Sequence, residues 1–408
     1  MTDSALKDRI RRYILEDINE SKFVAHEDSF WARLRSTGTT LWLDTGDMEE
    51  AEAVWTSEMV ALTTNNTLIN RVIQKGIYDD YIRESVDIVS SLPLRQQVVE
   101  LAFILNARHG LRLVKRFGGD VSVELHTDTA HNIDEIVSYG LRYHEICPEK
   151  FIIKVPHTAS GLIGARILGE KGVRINFTLG FSARQNVIAT HIARPDYLNV
   201  FLGRIGAYIA DNKLGDGSLV GERAVIETQK NIHRIARNNN YKTRLIAASL
   251  RNYSQLETLA GTDLYTMPPS VASQGRINLP GQFNSRLETD YQPVINTDLV
   301  TSGVIKFWRV LPEMERIAIS LGDDLPGYGD IIEKRFMEAG FNDIFPVLNE
   351  EEKGFIASDS KIPRYSRWAD KIKEGLNAPD TLLNLAGLAS FTADQGALDS
   401  RIESMISR

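Results

Sequence analysis

The sequence predicts a single (β/α)8 barrel, an α/β fold, with an N-terminal helix and an extended helical C-terminal tail. Eight short apolar runs alternate with helix-like stretches, as parallel βα units do. In seven of these runs one residue parity carries polar side chains, concentrated toward the carboxyl-terminal end. We therefore expect a helical segment at residues 1–38, the barrel at residues 39–270, and a mainly helical extension at residues 271–408 that packs on the barrel.

The N-terminal segment begins with an amphipathic pattern, because Leu6, Ile10 and Ile14 lie at helical spacing. The predicted strands then follow in order: LWLDTGD (41–47), ALTTN (61–65), VSVELHTD (121–128), FIIKVP (151–156), RINFTLGFS (174–182), YLNVFLGRI (197–205), TRLIAASLRN (243–252) and TDLYTMPP (262–269). A long helical excursion at residues 66–120 separates the second run from the third.

Composition excludes several classes of protein. The 47 Lys and Arg residues and 54 Asp and Glu residues give a net charge of -7 without long runs of one sign, which is not typical of nucleic-acid binding. No apolar run approaches the roughly 18 residues of a membrane span. The one cysteine, Cys147, cannot form an intramolecular disulfide. We expect a cytoplasmic protein with neither nucleic-acid nor membrane partners.

Strand parity divides polar from apolar residues. In the third run Val121 and Val123 share one side, and Ser122 and Glu124 share the other. The remaining polar residues of the inferred interior side are Asp44, Thr63, Asn65, Lys154, Asn176, Thr178, Ser249 and Arg251. A barrel that needed only stability would fill these positions with Val, Ile and Leu, so they are candidates for chemistry.

Lys154 is the first of these candidates, because it lies between Ile153 and Val155 on a predicted buried strand. A buried ammonium loses several kcal/mol of hydration unless it is paired. Desolvation lowers the pKa of a lysine and keeps part of it as the neutral amine, which attacks carbonyl groups to form Schiff bases. The protonated imine then accepts electrons when a carbon–carbon bond breaks.

Such cleavage also needs a carboxylate at the breaking bond, a proton relay for the imine, and donors for the substrate hydroxyls. The residues that supply these groups are Asp44, Glu124 with Thr178, and Asn65 with Asn176. Arg204, Ser249 and Arg251, on later predicted strands, suit a phosphate. Together they predict a site for a phosphorylated keto sugar.

Several motifs in order resemble those of the transaldolase family: TLWLDTGD, ALTTNNTLI, VSVEL, IIKVPHT with Gly161, INFTLGFS, NVFLGRI and AASLRN. The segment FTADQGALDSRIESMI also resembles the last helix of that family. The resemblance implies an aldol transfer without metal or cofactor. It would move a dihydroxyacetone unit from sedoheptulose 7-phosphate or fructose 6-phosphate to erythrose 4-phosphate or glyceraldehyde 3-phosphate.

The resemblance also implies a role for each matching residue. Lys154 would form the Schiff base, Asp44 would act as acid and base, and Glu124 with Thr178 would hold the catalytic water. The substrate-binding residues would be Thr63, Asn65, Asn176, Asn199, Phe201, and, for the phosphate, Arg204, Ser249 and Arg251. We also expect a homodimer.

The chain departs from the family pattern at three positions near these motifs. Asn66 replaces the proline of TTNPS, Ser160 stands where an acidic or amide side chain is usual, and Asn199 stands where serine is common. These departures bear on which sugar is the substrate, so the enzyme could also be a relative that acts on a non-standard sugar.

Three competing hypotheses concern the reaction itself. An aldolase would release free dihydroxyacetone. A metal-dependent barrel lyase is a second possibility, because Glu124, His126 and Asp128 share one parity and are metal-ligand types. A barrel that binds sugar phosphates without catalysis would lack the lysine or its relay, and both are present in this chain.

Overall fold

The computed structural model describes residues 3–406, and its centre is a closed barrel of eight parallel strands. Each strand pairs with the next along the chain, and the eighth pairs with the first. The strands are β1 Thr40–Asp44, β2 Met59–Thr63, β3 Asp120–Glu124, β4 Phe151–Pro156, β5 Ile175–Thr178, β6 Tyr197–Phe201, β7 Arg244–Ala248 and β8 Leu264–Met267. The predicted (β/α)8 barrel is confirmed.

Helices precede the barrel and connect its strands. Before β1 lie α1 Asp3–Leu15 and α2 Ser29–Arg35. Between the strands lie α3 Met48–Glu52, α4 Asn66–Gln74, α5 Asp79–Val89, α6 Leu94–Phe117, α7 Ile133–Ile146, α8 Ala159–Glu170, α9 Ala183–Ile192, α10 Leu202–Asp211, α11 Val220–Asn239 and α12 Gln255–Thr258. A short 3-10 helix, Thr127–His131, follows β3.

The segment after β8 is mainly helical and packs around the barrel. It contains α13 Pro269–Asn278, α14 Pro312–Asp323, α15 Gly329–Glu338, α16 Glu350–Ser358, α17 Tyr365–Lys373 and α18 Pro379–Ile406, with a 3-10 helix at Val304–Phe307. Helix α14 packs on α9, α15 packs on α8, and α18 returns to α4, α5 and α6. Within residues 3–406, no helix is both long enough and apolar enough to cross a membrane.

Polar side chains of the predicted parity meet inside the barrel. Asn176 Nδ2 donates a hydrogen bond to Ser122 Oγ (3.0 Å), although their strands are separated by β4. Toward the amino-terminal end the same parity becomes aromatic, since Trp42 and Tyr197 meet edge to face with ring centroids 4.9 Å apart. The interior is therefore closed at one end by apolar packing and polar at the other.

The observed strands end earlier than the predicted runs. Residues 202–205 of the sixth run form the first turn of α10, so Arg204 is helical. Ser249 and Arg251 follow the end of β7, and Asn65 caps α4. The prediction that Arg204 and Arg251 lie on strands was therefore wrong. A few apolar or small residues, such as Leu202, Gly203 and Ile205, do not distinguish the end of a strand from the start of a helix.

The third predicted run is also shorter, which changes the position of His126 and Asp128. β3 ends at Glu124, and His126 Nε2 lies 3.3 Å from Asp399 Oδ1 of α18. Asp128 pairs with Arg95. His126 Nδ1 lies 3.8 Å from Asp128 Oδ1, but the described residues contain no group of three or more His, Cys, Asp or Glu side chains that could hold a metal ion. Glu124, His126 and Asp128 therefore do not form the ligand set that the metal-dependent hypothesis requires.

Candidate active site

Lys154 lies in β4 between two strands whose matching residues are also polar. In register, it pairs with Glu124 of β3 and Asn176 of β5. Lys154 is only 4% exposed. Its Nζ donates a hydrogen bond to Thr64 O (3.0 Å) and lies 4.0 Å from Glu124 Oε2. The amine is thus positioned by a neutral acceptor, with a carboxylate near but not tightly paired.

Two carboxyl groups flank this lysine. Asp44, at the end of β1, accepts a hydrogen bond from Thr63 Oγ1 (2.9 Å). Burial raises the pKa of Asp44, and the charge of Lys154 opposes that rise. Burial also raises the pKa of Glu124, against the opposing effects of Lys154 and the Asn66 backbone N–H. Raised pKa values suit carboxyl groups that must take up and release protons near neutral pH.

Three asparagine side chains add fixed hydrogen-bonding groups. Asn199 Nδ2 donates to Asn176 Oδ1 (3.4 Å), and Asn199 Oδ1 accepts from Gly180 N (3.3 Å). Asn65 Oδ1 accepts from Leu68 N (2.9 Å) as the cap of α4. That cap orients the Asn65 side chain and leaves its amide NH2 as a donor.

Thr178, at the end of β5, has a hydroxyl without a hydrogen-bond partner. Its Oγ1 is fully buried, and no described residue donates to it or accepts from it. Buried hydroxyl groups rarely lack a partner, so this position suits a small polar molecule such as water.

A cavity of about 700 Å³ opens beside Lys154. The predicted residues that form its wall are Asp44, Thr63, Asn65, Lys154, Asn176, Asn199, Phe201, Arg204, Ser249 and Arg251. Glu124 and Thr178 do not contribute to this wall. Residues from several strands, and from the turns that follow them, therefore meet around one cavity. In the sequence these residues are far apart and share only the interior parity of their predicted strands.

Arg204 is brought into the wall by the close packing of α10 on the turn after β7. An added Cβ at Gly203 would lie 2.1 Å from Ser249 O and 2.5 Å from Arg251 Cγ, so only glycine fits there. Ser249 itself has a left-handed backbone, with φ of 64°. The first turn of α10 and the Ser249–Arg251 turn therefore form one packed unit.

The Arg204 guanidinium is buried and lies over two aromatic rings. Its Cζ is 5.4 Å from the centroid of Phe201 and 5.5 Å from that of Phe391. Its Nη1 has no hydrogen-bond partner among the described residues. Burial and, secondly, the charge of Arg251 lower the pKa of Arg204 to about 10, which leaves it charged at neutral pH.

Other wall residues were missed from the sequence, among them Arg71, Thr266, Lys361 and Phe391. Thr266 Oγ1 lies 2.5 Å from Thr63 Oγ1, and it has the interior parity between Tyr265 and Met267. The parity rule could have found it. Lys361 and Phe391 come from the segment after the barrel, for which parity gives no signal.

The three residues that depart from the family pattern differ in their relation to the candidate site. Asn66 N donates to Glu124 Oε2 (3.2 Å), a bond that proline could not make. Asn199 lies on the cavity wall. Ser160 Oγ instead donates to His131 O (3.1 Å), and Ser160 is not part of the wall.

Comparison with known proteins identifies the family. The family model described as Transaldolase/Fructose-6-phosphate aldolase matches residues 41–304. The chain belongs to this family. Its resemblance to the transaldolases is therefore confirmed, and with it the prediction of a transaldolase-type enzyme.

Curated relatives match at modest identity. A transaldolase of Prochlorococcus marinus is 28% identical over 315 residues, covering 69% of this chain and 92% of the relative. A transaldolase of Chlamydia felis is 27% identical, covering 64% and 83%. A probable transaldolase of Drosophila melanogaster is 29% identical, covering 58% and 73%.

Proposed function

We propose that this enzyme transfers a dihydroxyacetone unit from a ketose phosphate to an aldose phosphate through a Schiff base on Lys154. The observation that carries the proposal is the buried Lys154 amine, held by Thr64 O with Glu124 4.0 Å away, on the wall of a cavity that Asp44 also lines. The donor would be fructose 6-phosphate or sedoheptulose 7-phosphate, and the acceptor erythrose 4-phosphate or glyceraldehyde 3-phosphate.

In the first half-reaction, neutral Lys154 Nζ attacks the C2 carbonyl of the donor, and loss of one water gives the iminium. Asp44 accepts the proton of the C4 hydroxyl while the C3–C4 bond breaks. The bonding electrons move into the iminium to give an enamine, and the aldose phosphate leaves. Glu124 and the unpaired hydroxyl of Thr178 are suited to position the water that leaves and later returns.

In the second half-reaction, the enamine carbon attacks the acceptor aldehyde, and Asp44 returns its proton to the new hydroxyl. Water then hydrolyses the iminium and frees Lys154. Burial raises the pKa of Asp44, which makes the carboxylate a stronger base for the first proton transfer. Asn65 and Asn176 supply donors and acceptors for the substrate hydroxyls, while Thr63 orients Asp44.

Phosphate recognition is assigned to Arg204, Ser249 and Arg251. The two guanidinium groups and the hydroxyl lie on one wall, and neither arginine has a carboxylate within ion-pair distance among residues 3–406. A phosphate ester would supply the missing negative charge. Phe201 favours transfer over release of free dihydroxyacetone, because its ring offers no proton donor to the enamine.

The test is reductive trapping. Incubation with fructose 6-phosphate and borohydride should add one reduced three-carbon unit to the peptide that contains Lys154. Lys154→Ala should abolish labelling, while a matched control at exposed Lys171, Lys171→Ala, should label normally. Labelling that survives Lys154→Ala would refute the assignment. Fast dihydroxyacetone release without an acceptor would establish an aldolase instead.

A further inference from the structure

The cavity wall carries more positive charge than the phosphate site requires from Arg204 and Arg251 alone. Lys361 and Arg71 are also part of the wall. Among residues 3–406, none of these four cations lies within 4.0 Å of a carboxylate, and none donates a side-chain hydrogen bond. The wall also carries the carboxyl groups of Asp44 and Glu50, but neither forms an ion pair with these cations. Four cations that form no ion pair around one cavity indicate that the cavity is suited to bind an anion.

Lys361 comes from the loop between α16 and α17, and that loop is fixed to the helix that carries Arg204. Asn212, directly after α10, donates from Nδ2 to Pro363 O (2.9 Å). It also accepts at Oδ1 from Tyr365 N (2.7 Å). This pair of bonds joins the loop to one side chain, so Lys361 is positioned relative to α10 and Arg204.

The loop is also ordered from within. Asp359 accepts from Arg364 N (2.9 Å) and pairs with Arg367 (2.8 Å). Ser360 has a left-handed backbone, with φ of 59°, which turns the chain immediately before Lys361. A lysine on such a loop loses less conformational entropy on binding than one on a free surface loop.

The electrostatic surroundings of Lys361 are dominated by like charges. Burial lowers its pKa, and Arg204, Arg71 and Arg251 lower it further, while Asp394 opposes them. Lys361 lines the same cavity as Arg204 and Arg251, the two arginines of the proposed phosphate subsite. The mutual repulsion of these cations is relieved when a dianion lies among them.

We propose that Lys361 is a third cation of the phosphate subsite, supplied by the segment after the barrel, and that the subsite selects the dianionic form of a terminal phosphate ester. This inference rests on the proposed function for its substrate class. It assigns a binding role to the loop between α16 and α17, and neither this loop nor Lys361 takes part in the imine chemistry.

The experiment measures binding of inorganic phosphate to the full chain by calorimetry, without any sugar. Lys361→Met should weaken phosphate binding roughly 10-fold, because one charge-assisted hydrogen bond to a dianion is lost. Lys361→Arg should restore most of the affinity. Exposed Lys373, in the last turn of α17, provides the matched control, and Lys373→Met should bind phosphate as the parent does.

Steady-state kinetics add a second readout. With fructose 6-phosphate, Lys361→Met should raise KM while kcat changes little, since the phosphate is bound equally in the ground and transition states. With unphosphorylated fructose, parent and variant should not differ. Asn212→Ala should also weaken phosphate binding, and the double variant should be no weaker than Lys361→Met alone, because both changes remove the same contact.

The inference and the proposed function can fail separately. Unchanged phosphate affinity in a folded Lys361→Met variant that still forms the borohydride adduct would overturn only the role of Lys361. Phosphate binding that depends on Lys361 in a protein that forms no adduct would overturn the Schiff-base reaction and leave the anion subsite intact. An equal loss for Lys361→Met and Lys373→Met would mean that only general surface charge matters, and would also refute the inference.

Discussion

Replacement of Asn66 by proline tests how the Glu124 carboxylate is positioned. Asn66 N donates to Glu124 Oε2 (3.2 Å), and its Nδ2 donates to Gln395 Oε1 of α18 (2.9 Å). Asn66 is the first residue of α4, a position at which proline fits the helix without strain. Asn66→Pro should therefore fold and lose these two bonds.

The expected effect follows from the bond to the carboxylate. A hydrogen bond to a charged group contributes about 1.5 to 3 kcal/mol, and a length of 3.2 Å suggests the lower end, so kcat should fall roughly 10-fold. The Asn66 N–H also opposes the burial that raises the pKa of Glu124. Without this N–H, the pKa of Glu124 rises further. As the pH is lowered, activity that needs the carboxylate is then lost at a higher pH than in the parent.

The assay is the pH dependence of kcat with fructose 6-phosphate and erythrose 4-phosphate, between about pH 5 and 9. Asn66→Ala is the matched variant, because it keeps the backbone N–H and loses only the bond to Gln395. The acid limb should move to higher pH in the proline variant and stay in place in the alanine variant. This role of the Asn66 N–H would be refuted if the acid limb lay at the same pH in the parent and the proline variant. It would also be refuted if the acid limb shifted equally in both variants.

Further predictions concern the phosphate, the enamine and stability. Arg251→Ala should lower kcat/KM for fructose 6-phosphate roughly 10- to 150-fold and leave unphosphorylated fructose nearly unaffected; an equal loss for both sugars would make the arginine structural. Phe201→Tyr should raise dihydroxyacetone release in the absence of an acceptor, because its hydroxyl can protonate the enamine; an unchanged rate would contradict this. Burial lowers the pKa of His109 to about 4 in the folded protein. As the pH falls, the imidazole of the unfolded chain is therefore protonated at a higher pH than that of the folded protein, which favours unfolding. Urea unfolding should show stability decreasing by up to about 3 kcal/mol from about pH 6.5 to pH 4, and the decrease should be smaller in His109→Gln.

The barrel and most of the cavity wall could be predicted because both depend on local alternation. Val121 and Glu124 take opposite sides whatever the rest of the chain does, and parallel strands then bring their ends together. The same rule applied to the eighth run would have included Thr266.

The features that were missed depend on contacts between residues far apart in the sequence, which a short stretch of sequence does not reveal. The first turn of α10 resembles the continuation of a strand, because Leu202, Gly203 and Ile205 are apolar or small. The close packing of Gly203 on Ser249 is visible only in the structure. Lys361 reaches the cavity through hydrogen bonds to Asn212, far away in the sequence. Side chains that arrive by such long-range contacts carry no periodic signal of their own.

Helix α18 has a consequence for the order in which the molecule is completed during synthesis. Phe391 lies on the cavity wall, Gln395 bonds Asn66, and Asp399 lies beside His126. Ribosomes release a chain from its amino terminus, so all eight strands emerge before these three side chains exist. A nascent chain that ends after β8 already contains Lys154, yet Asn66 lacks its partner on α18. We therefore expect partial translation products to remain inactive until the last helix docks.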